Sequence, residues 1–321
     1  MLSVTFGGGP TRIEYRAQSI GRFAFETLSE DRAAAVVGVT SRGLFIRTDS
    51  RWLTFVSFEK HRGPCTLTLE PAADCLRAAK IDTPAQIVAG KLRFPSLGIG
   101  ISALPDAVWR SPPPSGGFRP REEQLADLKY LVREAAINRV VQGPGSLALL
   151  LLGLEACGTH ASPDESTLAD VSLLRQALAD GHASLAAGIL DRRLGQGRGL
   201  TPAWDDFVAG LLLLLNRGQG EVWPDGVLQD LNRRLVAAAY ERTTRLSANL
   251  IECAALGESD ERLLNVVDCI LTGSPPVAEC LPELLTWGSS SGVDAFAGMA
   301  VATLAKARSL RKGLANTPAS L

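Results

Sequence analysis

Between residues 17 and 104 apolar and polar positions alternate in short runs. Ala34 to Val39, Gly43 to Thr48, Trp52 to Val56 and Cys65 to Leu69 are rich in β-branched and aromatic side chains. Turn formers separate them, as in Thr40-Ser41-Arg42-Gly43 and Thr48-Asp49-Ser50. Period-two runs bounded in this way predict strands. Leu92 to Phe94 and Ile99 to Ile101 add late strands, and Ala72 to Ala79 a short helix. The spacing predicts a small antiparallel β-barrel or sandwich over residues 1–110.

The pattern changes after residue 110. Trp109 to Arg121 carries three consecutive prolines and a glycine pair, which neither a helix nor a strand survives, so residues 111–121 read as a linker. From Glu122 to Asn138 the apolar residues Leu125, Leu128, Leu131, Val132, Ala135 and Ala136 recur at helical spacing. Further helices are predicted over 147–154, 164–180, 183–190, 227–256, 259–271, 282–287 and 293–311, with a frayed tail after Arg311. Residues 122–321 thus form an all-α domain, and the fold class is α+β.

One stretch in the helical half breaks the pattern. Gly195-Gln196-Gly197-Arg198-Gly199-Leu200-Thr201-Pro202-Ala203-Trp204-Asp205-Asp206 opens the apolar run Phe207 to Leu215. Glycines at every second position allow positive φ, and Thr201 before Pro202 reads as an N-cap with proline at the first helical position. A glycine-rich turn feeding a buried helix offers backbone N–H groups to an anion. Asp205 and Asp206 complicate that, because carboxylates repel a phosphate. They suit a base, a metal ligand or an acceptor for amide, urea or guanidinium hydrogens. Acidic residues in a first turn are also ordinary dipole partners.

A second turn, Trp287-Gly288-Ser289-Ser290-Ser291-Gly292-Val293-Asp294, precedes the small-residue helix from Ala295 and repeats this logic, although an ordinary capped helix has the same composition. Thr243, Thr244, Ser247 and Asn249 interrupt an Ala-rich helix and either line a polar wall or bond back to the preceding turn. The candidate catalytic residues are Asp205, Asp206 and Asp294. Candidate substrate or anion contacts are Gly197, Gly199, Thr201, Thr244, Ser247, Ser290, Ser291 and Gly292.

Composition narrows the classes. A net charge of −1 and a pI near 6.3 give no basic patch for nucleic acid or a membrane surface. The longest purely apolar runs fall far short of the roughly 20 residues that span a bilayer, and Met1 to Gly9 has no signal-peptide pattern. A cytoplasmic protein is expected. Its six scattered cysteines read as reduced thiols, and its three histidines (His61, His160, His182) do not cluster. No cofactor is expected, with magnesium on Asp205 and Asp206 as the metal alternative. Gly288 to Gly292 matches Gly-x-Ser-x-Gly around Ser290, but a nucleophile elbow needs a preceding strand and a later histidine.

Gly-x-Gly-x-Gly-Leu-Thr-Pro-x-x-Asp-Asp, then Thr-Thr-x-x-Ser, then Gly-x-x-Ser-Gly-x-Asp-x-x-x-Gly resembles the AllH-like family, which includes a subunit of oxamate carbamoyltransferase. Here the blocks are Gly195 to Asp206, Thr243 to Ser247 and Gly288 to Gly298. The strand after Arg62-Gly63-Pro64 is similar to the family's β-domain. The resemblance implies a β-rich domain followed by a helical one. It also implies two partners, an FdrA-like (acyl-CoA-synthetase-related) subunit and a second uncharacterised one. The implied reaction, in allantoin and purine nitrogen breakdown, converts oxalurate and phosphate into oxamate and carbamoyl phosphate. Two departures stand out: Ala203-Trp204 where the family has Ser-Gly, and Ser289 where it often has histidine.

Three functions follow as expectations. The first is a carbamoyltransferase-type subunit binding a small anion or ureido acid. The second is a non-catalytic binding or assembly subunit. The third is a hydrolase using Asp205, Asp206 and Asp294 around a metal, which lacks a histidine to join the carboxylates.

Overall fold

The computed structural model describes residues 13–69, 74–138, 165–218 and 225–315. Its contacts divide the chain into two units, Met1–Ser111 and Pro112–Leu321.

In the first unit, ten strands form one sheet: β1 (Ile13–Arg16), β2 (Ser19–Gly21), β3 (Arg32–Thr40), β4 (Gly43–Arg47), β5 (Thr54–Ser57), β6 (Thr66–Thr68), β7 (Pro84–Val88), β8 (Lys91–Phe94), β9 (Ile99–Ser102) and β10 (Val108–Trp109). The spatial order is β1-β9-β8-β7-β3-β4-β5-β6-β2-β10. The expectation of a small antiparallel barrel or sandwich needs correction on two counts. The sheet is a single ten-stranded one, and it is mixed: β1 runs parallel to β9, β5 to β6, and β2 to β10. The β1–β9 and β2–β10 pairings join strands remote in sequence, so local periodicity does not reveal them.

The hairpins among the middle strands are the legible part. β3 and β4 join through Ser41 and Arg42, with Thr40 opposite Gly43. Alternate residues point inward, as Ala34 and Val36 do on β3, Ala85 and Ile87 on β7, and Leu92 and Phe94 on β8. Each fully buried Leu, Ile or Phe contributes about 1.5–3 kcal/mol. A helix, α1 (Arg22–Leu28), interrupts the strands. Its start rests on Pro64, whose carbonyl accepts from Phe23 N–H at 3.0 Å. Gly21 lies so close that a Cβ there would stand 2.0 Å from Gly63 O. Of the helix expected over Ala72 to Ala79, the described residues form a 3₁₀ turn, Asp74–Ala78.

The second unit is helical throughout its described residues: α2 (Arg121–Asn138), α3 (Glu165–Ala179), α4 (Ala183–Arg193), α5 (Ala203–Arg217), α6 (Asp225–Arg242), α7 (Arg245–Ala255), α8 (Glu261–Thr272), α9 (Val277–Leu284) and α10 (Ser291–Ala315). The predicted helix at 147–154 lies outside the described residues. The run expected over 227–256 is two helices, because Thr244 leaves the helical region (φ −69°, ψ 151°) and caps α7. The helix expected at 282–287 begins earlier, at Val277, and contains Pro282. α5 is the centre of the unit and is buried from Trp204 to Arg217. It crosses α10 at glycines on both sides. A Cβ on Gly210 would stand 1.9 Å from Ala295 O, and one on Gly298 would stand 1.9 Å from Phe207 O.

Candidate functional site

The site is built where α5, α7 and α10 begin. The stretch Gly195 to Leu200 lies exposed ahead of α5. Its glycines take φ values of 78°, 127° and 106°, a region where L side chains are strained. Thr201 is not the N-cap the sequence suggests. That place belongs to Pro202, and α5 starts one residue later, at Ala203. The Thr201 hydroxyl is instead engaged by Asp206 Oδ2 at 2.9 Å.

The first turn of α5 is closed by its own chain. Trp204 N–H donates to Gln196 O, and the N–H groups of Asp205 and Asp206 donate to Pro202 O. Three N–H groups of this first turn are therefore already taken within the chain.

Asp205 and Asp206 are both 1% exposed, and Asp294 in the first turn of α10 is 2% exposed. The adjacent pair are unlike. Asp205 Oδ1 accepts from Gly195 N–H at 2.7 Å, and Oδ2 accepts from the Thr243 hydroxyl. Both its oxygens hold the chain together, fastening the start of the glycine-rich stretch to the end of α6. Asp206 Oδ2 takes the Thr201 hydroxyl, but Oδ1 is buried with no hydrogen-bond partner. Loss of water raises the Asp206 pKa well above the ordinary carboxylate range. The Ser291 and Thr201 hydroxyls pull it back, while the charges of Asp294 and Asp205 push it up.

All three sequence blocks converge here. Thr201 Oγ1 stands 3.3 Å from Ser291 Oγ, which joins the two glycine-rich turns. The Thr244 hydroxyl donates to Leu200 O at 3.3 Å and lies 3.1 Å from Ser247 Oγ. Ser247 N–H donates to Thr244 Oγ1, so Ser247 belongs to the α7 cap and is fully buried. Gly292 serves packing, since a Cβ there would stand 2.2 Å from Leu284 O. The Ser290 carbonyl starts α10 by accepting from Val293 and Asp294. Gly197 is pressed on Ala203, where a Cβ would stand 2.4 Å from its nitrogen, and Gly199 is exposed. Thr243 is absent from the sequence-derived set of site residues. Its signal was the doubled threonine at a helix end, which the continuous 227–256 reading obscured.

Trp204 packs on Phe207 at 5.0 Å and beneath Arg193 at 5.2 Å. The indole is thus accommodated on the α4 side. Helix α9, not a strand, precedes Ser290, so the Gly-x-Ser-x-Gly match is no nucleophile elbow.

The family model described as oxamate carbamoyltransferase subunit AllH matches residues 193–303. This segment, about a third of the chain, is similar to that family. The AllH-like segment contains all three blocks and every residue of the carboxyl cluster, so the resemblance read from those blocks holds over the site. No curated protein and no solved structure matches the chain.

Other features lie apart from the AllH-like cluster. A depression of about 330 Å³ is lined by Arg16, Gln18 and Asp106 in the first unit, and one of about 650 Å³ by His182, Leu185, Val227 and Asp230 in the second. Among the described residues, no group of three or more His, Cys, Asp and Glu side chains is placed to hold a metal ion. Cys65, Cys75, Cys253, Cys269 and Cys280 are free thiols, while Cys157 and His160 lie outside the described residues. Among the described residues no helix is long and apolar enough to cross a membrane.

Proposed function

We propose that the chain is a subunit of a carbamoyltransferase-type enzyme of allantoin and purine nitrogen breakdown in the cytoplasm. It would work with an FdrA-like subunit and a second uncharacterised one. Its ligand is a small anion: phosphate, a carboxylate such as oxamate, or a ureido acid such as oxalurate. In the reaction, a phosphate oxygen bonds to the carbamoyl carbon while the bond from that carbon to the oxamate nitrogen breaks. The proton given up by phosphate ends on the leaving nitrogen. A buried acid next to the site suits that transfer, because a carboxyl with an elevated pKa keeps its proton to higher pH than an ordinary one.

The observation that carries this reading is the meeting of the three AllH-like blocks, where Thr201 contacts Asp206 and Ser291 while Thr243 and Thr244 contact Asp205 and Leu200. A thermal-shift series with phosphate, carbamoyl phosphate, oxamate and oxalurate tests it on the wild type and on Thr201→Val. At 100 times its Kd a ligand stabilises by about 2.7 kcal/mol. At least one of the four should raise the wild-type Tm and leave Thr201→Val unmoved. Equal shifts in both proteins would put the ligand elsewhere.

A second reading, a non-catalytic assembly subunit, is favoured by the engagement of both Asp205 oxygens within the chain. Reconstitution with the two partner subunits separates the readings. The catalytic reading requires Thr201→Val to assemble normally and lose turnover, whereas the assembly reading requires turnover to persist.

A further inference from the structure

The puzzle of the site is an anion beside three buried carboxyl groups. Asp205 is held by an N–H and a hydroxyl, one on each oxygen. Asp206 Oδ2 accepts from Thr201 while Oδ1 is buried without a hydrogen bond; the Ser291 hydroxyl also acts on this carboxyl, and Asp205 and Asp294 act on it as like charges. An ionised carboxylate with an undonated buried oxygen beside like charges is a costly arrangement, and a neutral carboxyl is the cheaper one.

The charged groups on the surrounding elements do not relieve it. Arg193 of α4 is paired with Asp170 at 2.8 Å, and Arg242 of α6 with Asp191 at 2.9 Å. Glu252 of α7 accepts the Tyr240 hydroxyl at 2.6 Å, and Asp268 of α8 is bound to Arg217. α10 adds Asp294 itself, and Arg198 lies on the exposed stretch.

The hydroxyls give Asp206 a route outward. Asp206, Thr201 and Ser291 form a chain with spacings of 2.9 Å and 3.3 Å, in which either hydroxyl of the second pair can donate. When Asp206 holds a proton on Oδ2, it donates to Thr201, Thr201 donates to Ser291, and the Ser291 hydrogen is left for a ligand oxygen. When Asp206 is ionised, Thr201 donates inward, Ser291 can follow, and lone pairs face the ligand. The buried acid thus sets whether the half-buried hydroxyls donate or accept.

We propose that the site binds its anion together with a proton taken from solvent, held by Asp206 and felt by the ligand through Thr201 and Ser291. Asp206 is then a positioning residue, and the ligand class is an oxyanion that accepts from hydroxyl hydrogens. The inference rests on the anion-site reading above and deepens it.

Isothermal titration of the full chain with oxamate, whose carboxylate stays ionised throughout, tests it. Titrations use buffers of different protonation enthalpy between about pH 5 and pH 9. Above the Asp206 pKa, binding takes up about one proton and weakens about tenfold per pH unit. Asp206→Asn, which cannot ionise, removes both the uptake and the slope. Asp294→Asn, which removes a repelling neighbour, moves the onset of the slope to lower pH and keeps the proposal testable should Asp206→Asn fail to fold. Wild-type binding without proton uptake, or the same uptake in Asp206→Asn, overturns the inference and leaves the anion site standing. An unmoved onset in Asp294→Asn also overturns it. Absence of binding by oxamate and by phosphate at every pH overturns the anion-site reading, and this inference with it.

Discussion

Two aspartates adjacent in sequence and equally buried have opposite chemistry here. What separates them is where their second oxygen falls. Asp205 reaches back to Gly195 and across to Thr243, while Asp206 Oδ1 meets no donor. The sign of the consequence for stability is fixed. The folded chain holds a proton on Asp206 that the unfolded chain releases near the ordinary carboxylate pKa of about 3.9. Stability is therefore greatest below that value, and falls as pH rises from it through the elevated folded pKa. Asp206→Asn should flatten this fall and leave the protein at neutral pH more stable than wild type, with roughly 2–4 °C in Tm for each kcal/mol recovered. Denaturant titrations at several pH values check this. A neutral-pH loss of stability in the variant would show that the wild-type carboxylate is ionised and well solvated by its donors.

The same site depends on how closely two helices approach. α5 and α10 touch backbone to backbone at Gly210 and Gly298, which brings the first turns carrying Asp206 and Asp294 together. Gly298→Ala places a methyl group 1.9 Å from Phe207 O and 2.8 Å from Leu211 N, atoms that cannot swing aside. Overpacking of this kind costs about 1–3 kcal/mol, and a backbone neighbour puts the expected loss at the upper end. The urea midpoint should fall, and the oxamate affinity with it as Thr201 and Ser291 separate. An unchanged midpoint would mean that the helices already have room. The elements themselves were largely legible. Period-two runs marked the central strands, and apolar spacing marked α2, α3, α5 and α10. What stayed hidden depends on distant partners. α1 forms because Pro64 O receives its first N–H groups, and β1, β2 and β10 are placed by parallel neighbours far along the chain. Thr201 was misread as a cap because its actual partner, Asp206, lies in the very turn it was expected to start.

Across the helical unit, one buried ion pair fixes the far end of α5 as firmly as the site fixes its start. Arg217 grips Asp268 of α8 with both Nη2 and Nε, at 2.8–2.9 Å, and its Nη1 donates to Pro112 O at 3.0 Å and Gly257 O at 3.3 Å. Four parts of the unit meet on one guanidinium whose side chain is only 4% exposed. Burial raises the Asp268 pKa, and Arg217 opposes that rise. Arg217→Met removes the opposition, gives up the bonds to the Pro112 and Gly257 carbonyls and leaves a buried carboxyl without its counter-charge. The expected loss is about 3–5 kcal/mol, and its pH course follows from the sign. Asp268 then has a folded pKa further above its unfolded value, so the variant loses more stability at neutral pH than below about pH 3, where the group is largely protonated in both states. Adding Asp268→Asn to Arg217→Met should recover part of the neutral-pH loss and none of the acid loss. Chemical denaturation of the two variants at both pH values decides the matter. A loss independent of pH would assign the role of Arg217 to its carbonyl contacts, and the ion pair would then be incidental to holding α5 in place beneath the site.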